Sequence, residues 1–475
     1  MSARVLTLVQ ALCLGCSLGS ATAATSGIVV VEARRSPGTA VALNRIDRLY
    51  PAGSRVVFSR EHATGRGLRV LSDGLQAAGG PVLSYDGQTV FFSGKAAGES
   101  PWEIYEARLE AGHWRRVTSV PGGAIEPALL PDGSVIFASP ALASGSAVSE
   151  LYAQTPSGQL RQLTFSPAGA SDPTVLLDSR ILFVSAVASA SSGPVGLSLF
   201  TVNNDGTEIT AFACQHDPPA HLRRPRQLWD GRLAFITSGL DRASTAEWAE
   251  YVRMARPFKT RSKMWESAAG CTGSLQPEAT NSLLVCAENA GSGRAVFRVT
   301  AGDEKLGTPI FEEAGWDCIE AVPAGPQPRP MGRISTMNPG GKTGQILCLD
   351  VNDTTYRAAE KSDKDLATRI RVLAETAPGD CRSLGEVEVQ ADGSFMAEIP
   401  ADVALGFEAL NAQGQVLRRV EPVIWVRAGE NRACVGCHAA HNRSAHNHRP
   451  LAVRVPVPHL GAEPAPGLAQ HSPAK

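Results

Sequence analysis

Short apolar runs alternate with polar turns along most of the chain. Four segments share one order of residues: a proline, a few further residues, an aspartate, and then an apolar run. These four apolar runs are Thr89–Ser93, Val135–Ser139, Ile181–Ser185 and Leu233–Thr237. A weaker copy has Pro277 followed by Leu283–Cys286, and an earlier copy has Arg55–Ser59 as its apolar run. Their length and their bounding turn residues predict β-strands rather than helices.

The spacing of these segments predicts a repeated unit. Their aspartates, Asp86, Asp132, Asp178 and Asp230, recur at intervals of 46, 46 and 52 residues. Three of them precede a glycine, which accepts positive φ and so permits a tight turn between two strands. A unit of three or four strands at this period is typical of a β-propeller blade. We therefore predict about six blades over residues 27–325, resembling TolB-like or WD40-like propellers; an array of β-sandwiches with accidental spacing is the alternative.

A second β-domain follows a Pro- and Gly-rich stretch. Residues 326–342 have the composition of a semi-rigid linker. Over residues 343–427, apolar and polar residues alternate around an Asp-Gly and a Gln-Gly turn, which predicts β-hairpins. We expect a small antiparallel β-sandwich of the carboxypeptidase-regulatory or transthyretin-like kind, and the fold class is therefore all-β.

Composition and the N-terminus narrow the function and the compartment. The 45 Lys and Arg residues nearly balance the 46 Asp and Glu residues, so charge gives no indication of a nucleic-acid partner. Residues 1–23 resemble a signal peptide, with Arg4 before an apolar stretch and a cleavage site at Ala21–Ala23. Lipidation of Cys16 is the alternative. We expect a periplasmic or secreted protein without a transmembrane segment.

One motif carries recognisable chemistry: Cys434-Val-Gly-Cys437-His438. Cys-x-x-Cys-His is the attachment sequence of c-type haem. The two thiols can form thioethers with one edge of the haem, and His438 can then bind the iron from below. The sequence therefore predicts one covalent haem c within residues 428–460. A thioredoxin-like redox pair, a plain disulfide, and a zinc site completed by later histidines are the alternatives.

The remaining candidate residues are less constrained. His448 and His446 follow the motif and are candidates for the second axial ligand of the iron. Six cysteines of the mature chain lie outside the motif, and the most local disulfide would join Cys271 with Cys286. No catalytic residue is assigned. Residues 461–475 are predicted to form a disordered tail.

The order of parts resembles the hydrazine synthase alpha subunit-related family. The stretches that carry the resemblance are Pro326–Pro330, Gly344–Val351, Leu384–Asp402, Val426–His438 and Asn447–Arg454. It implies that Cys434 and Cys437 hold the haem and that His438 is the motif histidine. The chain departs from the family in having a single attachment motif. It also has Asn442 where the family's active-site haem is ligated by a tyrosine.

These features together predict a periplasmic single-haem c-type cytochrome. Its propeller would dock a redox partner protein, and its C-terminal part would transfer electrons. Two alternatives remain: a haem redox enzyme acting on a small nitrogen compound, and a binding scaffold with a structural haem. The substrate, the partner and the oligomeric state are left open.

Overall fold

The computed structural model describes most of the chain between residues 27 and 461. The described residues are 27–35, 49–60, 67–98, 100–140, 148–188, 195–213, 220–240, 247–264, 275–289, 291–300, 303, 306–354, 366–377, 380–437 and 447–461. The predicted signal peptide, Cys16 and nearly all of the predicted tail lie outside these residues. No helix among the described residues is long and apolar enough to cross a membrane.

Residues 27–324 form consecutive antiparallel β-sheets. Their strands are β1 Gly27–Arg34, β2 Arg55–Ser59, β3 Arg69–Val70, β4 Ala77–Leu83, β5 Thr89–Lys95, β6 Trp102–Arg108, β7 Trp114–Arg116, β8 Ile125–Leu129, β9 Val135–Pro140, β10 Ser149–Gln154, β11 Leu160–Gln162, β12 Ser171–Val175, β13 Ile181–Ala188, β14 Val195–Val202, β15 Thr210–Ala213, β16 His221–Gln227, β17 Arg232–Ser238, β18 Glu247–Arg253, β19 Ser262–Lys263, β20 Leu275–Ala279, β21 Ser282–Asn289, β22 Gly293–Thr300 and β23 Trp316–Ala324. The apolar runs predicted from the repeat all lie within strands, namely β2, β5, β9, β13, β17 and β21.

These sheets are arranged as a β-propeller. Strands β4, β8, β12, β16, β20 and β23 each contact the next one, and β23 returns to β4, so they enclose a common axis. The ring closes through β1, which pairs antiparallel with β23 on one side and with β2 on the other. About six blades stays a prediction, because one hydrogen-bonded sheet joins eight strands through a single parallel pair between Leu197 and His221.

The repeated aspartates have a local structural role. In each case the carboxylate accepts a hydrogen bond from the backbone N–H two residues later, at 3.1 Å for Asp86, 2.9 Å for Asp132, 3.1 Å for Asp178 and 3.0 Å for Asp230. A side chain that bonds its own backbone in this way fixes a tight turn. The sequence repeat therefore marks the turn that leaves the innermost strand of each unit.

The repeated prolines mark a second feature, close to the propeller axis. The residue before the proline has positive φ in four units: Gly80 (65°), Glu126 (59°), Asp172 (51°) and Arg224 (51°). The strand register shifts at these same positions. Positive φ is costly for any residue with a Cβ, so the surrounding contacts must hold Glu126, Asp172 and Arg224 in place.

Those contacts run from one unit to the next around the axis. The backbone N–H of Asp172 donates to Glu126 Oε2 at 2.7 Å, and the N–H of Arg224 donates to Asp172 Oδ2 at 3.2 Å. The Arg224 guanidinium forms an ion pair with Glu320 in β23, and Tyr50 Oη donates to the same carboxylate at 2.5 Å. The propeller axis is thus lined by a polar network that links the innermost strands β8, β12, β16 and β23.

A second β-domain follows the propeller. Its strands are β24 Thr343–Asp350, β25 Arg369–Ala377, β26 Asp380–Glu388, β27 Phe395–Pro400, β28 Ala404–Leu410, β29 Val416–Ile424 and β30 Asn431–Gly436, followed by a turn of 3-10 helix, Leu451–Arg454. They form two sheets, in the orders β27-β24-β30 and β26-β25-β28-β29. The two sheets share one apolar core, in which Ile346, Ile370, Phe395 and Leu405 are buried. This is a small β-sandwich, and it includes β30.

The linker between the domains lies across one end of the propeller. Its backbone N–H groups donate from Gln327 to Tyr85 O at 2.9 Å and from Met331 to Leu177 O at 3.1 Å. The Arg329 side chain donates to Pro131 O at 2.5 Å. Each acceptor lies beside one of the aspartate turns, so the linker follows three consecutive units before it enters the sandwich.

Candidate functional site

The two motif cysteines lie on an edge strand of the sandwich. Strand β30 pairs in parallel with β24, with Cys434 opposite Cys348 and Gly436 opposite Asp350. Strand β24 pairs on its other side with β27, so β30 is the edge of this sheet. Exposure alternates along β30: Cys434 is half-buried, whereas Val435 is 41% exposed. The Cys434 side chain therefore points towards the domain interior, at an edge where no further strand of this sheet covers the backbone.

Both thiols adjoin the apolar core of the sandwich. Cys434 and Cys437 pack against a cluster that includes the buried Cys348 and the partly buried Leu417. Burial raises the pKa of the Cys437 thiol, and Arg418, which hydrogen-bonds it, partly offsets that rise. Burial and the two neighbouring thiols raise the pKa of Cys348 well above its ordinary value. Reactive cysteine pairs have lowered pKa values, so these surroundings disfavour the thioredoxin-like alternative.

The sequence-predicted histidines are only partly described. His438 and His446 lie outside the described residues, and their roles as iron ligands stay predictions. His448 is described, and its Nε2 lies 3.1 Å from Asp392 Oδ2. The same Asp392 oxygen accepts the backbone N–H of Leu451 at 2.8 Å. Against the opposing effect of burial, hydrogen bonds from Ser394, Leu451 and His448 lower the pKa of Asp392 to about 2.

The Asp392 turn lies at the same end of the sheet as the second motif cysteine. Gly393, with a φ of 84°, packs directly on Asp350, and the N–H of Val351 donates to Gly393 O at 2.8 Å. Asp350 is in turn the partner of Gly436, the residue before Cys437. One strand, β24, thus separates the turn that carries Asp392 from the end of β30. Adjacent strands are about 4.8 Å apart, so about two strand spacings, or about 10 Å, separate the backbone of the Asp392 turn from the end of β30.

The motif strand is anchored to the propeller at its start. Glu430 accepts the backbone N–H of Glu208 at 2.9 Å, and the Arg432 guanidinium donates to Ile209 O. Just before it, Trp425 is buried, and its Nε1 donates to Gly206 O at 2.9 Å. Arg427 Nη1 donates to Gln162 O at 2.7 Å. These bonds join residues more than 200 positions apart and fix the site relative to the propeller.

The metal-site and disulfide alternatives depend partly on residues that the structure does not describe. Within the described ranges, no group of three or more His, Cys, Asp or Glu side chains is placed to hold a metal ion. Cys271 lies outside those ranges, so a disulfide with Cys286 stays a prediction. Cys286 is fully buried in one apolar cluster with Cys318, which is a second candidate partner that the sequence did not indicate.

Sequence reasoning missed two residues of this site. Cys348 belongs to the predicted β-domain but is not among the predicted site residues, yet it lies directly beside Cys434. The alternation of Gly344–Val351 indicates which face Cys348 occupies, but parallel pairing with a strand more than 80 residues later has no local signal. Arg418 belongs to β29, in the opposite sheet, and its contact with Cys437 depends on how the two sheets pack.

A family model and a solved structure match this architecture. Residues 344–439 match the model of the hydrazine synthase alpha subunit middle domain. The structure of hydrazine synthase from Kuenenia stuttgartiensis superposes with a TM-score of 0.79 at 16% identity, covering 90% of this chain and 71% of that one. At this identity the superposition shows a shared fold.

A second solved structure gives a weaker match. TolB from Acinetobacter baumannii gives a TM-score of 0.44 at 13% identity, covering 63% of this chain and 67% of that one. No curated protein sequence matches the chain. The match to the family model is confined to the sandwich and the motif cysteines that it carries.

Proposed function

We propose that this relative of the hydrazine synthase alpha subunit is an exported protein that carries one covalent c-type haem and exchanges electrons with a redox partner protein. The observation that carries the proposal is the position of Cys434 and Cys437. Both are half-buried, at the end of an edge strand, immediately before His438. Two thiols at this spacing followed by histidine are what covalent haem attachment requires.

The surroundings of the two cysteines support this proposal. The apolar side chains that the thiols contact would shield one face of a macrocycle from water, and burial of this kind is one way a protein tunes a haem potential. When bound, the haem would supply one-electron chemistry. The residues of this chain would hold it through Cys434 and Cys437, with His438 as the expected axial ligand.

We propose His448 as the second axial ligand, with His446 as the alternative. An imidazole that ligates a metal usually bonds a carboxylate through its other ring nitrogen. The contact of His448 with Asp392 has this form. It would orient the ring from the same end of the sheet on which Cys437 lies.

The deciding experiment is a pyridine haemochrome spectrum of the full chain produced with a c-haem maturation system. We expect one covalent haem per chain, and none in the Cys434→Ala, Cys437→Ala double variant. Cys381→Ala is the matched control, because Cys381 is a half-buried cysteine of the same domain, outside the motif, and should leave haem attachment unchanged. A wild-type chain without covalent haem, or a double variant that retains it, would contradict the proposal.

A haem redox enzyme acting on a small nitrogen compound is the second candidate, because the family model that matches residues 344–439 comes from an enzyme subunit. Carbon monoxide separates the two candidates. An electron carrier with two protein ligands should resist carbon monoxide in the reduced state, whereas an enzyme with an open iron position should bind it. A scaffold with a structural haem predicts that no partner is reduced or oxidised by this chain.

A further inference from the structure

One buried arginine of the propeller has two side-chain nitrogens that lack a hydrogen-bond partner among the described residues. Arg294, near the start of β22, is 6% exposed. Its backbone N–H donates to Asp317 Oδ1 at 3.0 Å. Its side-chain Nε and Nη2, however, are buried and have no hydrogen-bond partner among the described residues. These two nitrogens form the edge of the guanidinium that presents two parallel N–H donors, the geometry that matches a carboxylate or a phosphate.

Two neighbouring side chains add further unpartnered polar atoms. Glu247, at the start of β18, is also 6% exposed, and it interacts electrostatically with Arg223 and Arg294. Arg223 Nη2 lies 3.4 Å from Glu247 Oε1. Within the described part of the chain, Arg223 Nη1 and Glu247 Oε2 have no hydrogen-bond partner either. Buried polar atoms nearly always have partners, so four such atoms on three adjacent residues indicate a ligand or ordered water.

The charges of the neighbouring side chains decide between a ligand and ordered water. Glu247 is matched by Arg223, and the nearby Arg224 is matched by Glu320. Arg294 is then a buried cation for which the described residues provide no ion pair. Water can satisfy its N–H groups, but water cannot balance its charge. Buried charges are normally paired, so an anion is the expected occupant.

The three residues come together from neighbouring units of the propeller. Strands β16, β18 and β22, which carry these three residues, belong to neighbouring units of the propeller. Arg294 and Glu247 both lie where a strand begins, at the end of the propeller where β23 also begins. The linker lies across the opposite end, where β23 ends. A ligand bound here would therefore be separate from the motif cysteines.

We propose that Arg294, together with Arg223, binds a small oxyanion, either a carboxylate or an inorganic anion such as phosphate, between two blades of the propeller. This inference does not depend on the haem proposal.

The test is anion-dependent stabilisation of the full chain, measured as Tm and by isothermal titration calorimetry. Sodium phosphate and sodium acetate are the probes, each compared with sodium chloride at matched ionic strength. We expect at least one probe to bind and to raise Tm. Arg294→Gln should bind it at least about tenfold more weakly, because the paired donors are lost. Stabilisation by phosphate alone, or by acetate alone, identifies the source of the oxyanion.

Two further variants keep the test decisive. Arg294→Lys retains the charge without the two-donor edge, and should also bind more weakly than the wild type. Arg116→Gln removes an arginine from an exposed strand edge, and should bind the probe as the wild type does. If neither probe raises Tm beyond chloride, or if Arg294→Gln responds like the wild type, the proposal is wrong and ordered water is the occupant.

Discussion

The propeller axis and the sandwich core show two different ways of holding β-sheets together. At the axis, polar side chains link the innermost strands of different units: Glu126 to Asp172, Asp172 to Arg224, and Arg224 to Glu320. In the sandwich, two sheets share one apolar cluster, and its sulfur atoms belong to the candidate site. Apolar packing tolerates many residue types, whereas a buried polar network requires every partner. The axis should therefore be the more sensitive region to single substitutions.

The largest effect is expected for Arg224→Ala. Against the opposing effect of burial, the charge of Glu320 and its neighbours raises the pKa of Arg224, which indicates a strongly stabilised cation. Its removal leaves the buried Glu320 carboxylate without its ion-pair partner, at a cost of about 3–5 kcal/mol in the free energy of unfolding. Urea denaturation measures this change. Arg232→Ala, which breaks a half-exposed pair with Asp230, should cost no more than about 1 kcal/mol. Equal losses of stability in the two variants would show that the axis network is no more sensitive to substitution than a half-exposed ion pair.

The second-largest effect is expected at the contact between the propeller and the sandwich. Trp425 belongs to the sandwich domain, yet its side chain packs in an apolar cluster of the propeller with Leu163 and Ile209. Trp425→Ala should lower the free energy of unfolding by about 3 kcal/mol, because it removes a fully buried indole and its hydrogen bond. It should also expose the contact between the propeller and the sandwich. Denaturation and limited proteolysis of the linker measure the two effects. Trp114→Ala, at a site that is 37% exposed, is the control. Faster cleavage in the Trp114 variant than in the Trp425 variant would contradict this assignment.

The last effect, the smallest per unit of the change that is made, concerns the slope of stability with pH. Burial, followed by the charge of Asp172, raises the pKa of Glu126 from its ordinary value of 4.5 to about 8. The folded state therefore holds a proton that the unfolded state has lost, so stability should fall as pH rises from about 4.5 to about 8. One such group contributes a slope of at most about 1.4 kcal/mol per pH unit. Glu126→Gln should reduce the measured slope, and the exposed Glu421→Gln should leave it unchanged.

The sequence predicted the architecture well because its signals are local. An aspartate that bonds the N–H two residues later marks its turn wherever it occurs, as at Asp86 and Asp132. The residue before each repeated proline gave no such signal. Glu126, Asp172 and Arg224 differ in charge and size, and their shared positive φ follows from contacts between blades. The candidate site divides in the same way: Cys434 and Cys437 follow from spacing, whereas Cys348 requires the strand register.

The pairing of β1 with β23 has a consequence for the order in which the molecule can form. Ile28 and Val30 are fully buried, and their cluster includes Cys318 and Ala321. Cys318 and Ala321 are synthesised almost 300 residues after Ile28 and Val30. Until β23 emerges, the first strand has an unpaired edge and apolar side chains without their final cover. Such long-range contacts form slowly and leave chains prone to aggregation. A newly made chain therefore needs protection of its first strand until almost the whole propeller has been synthesised.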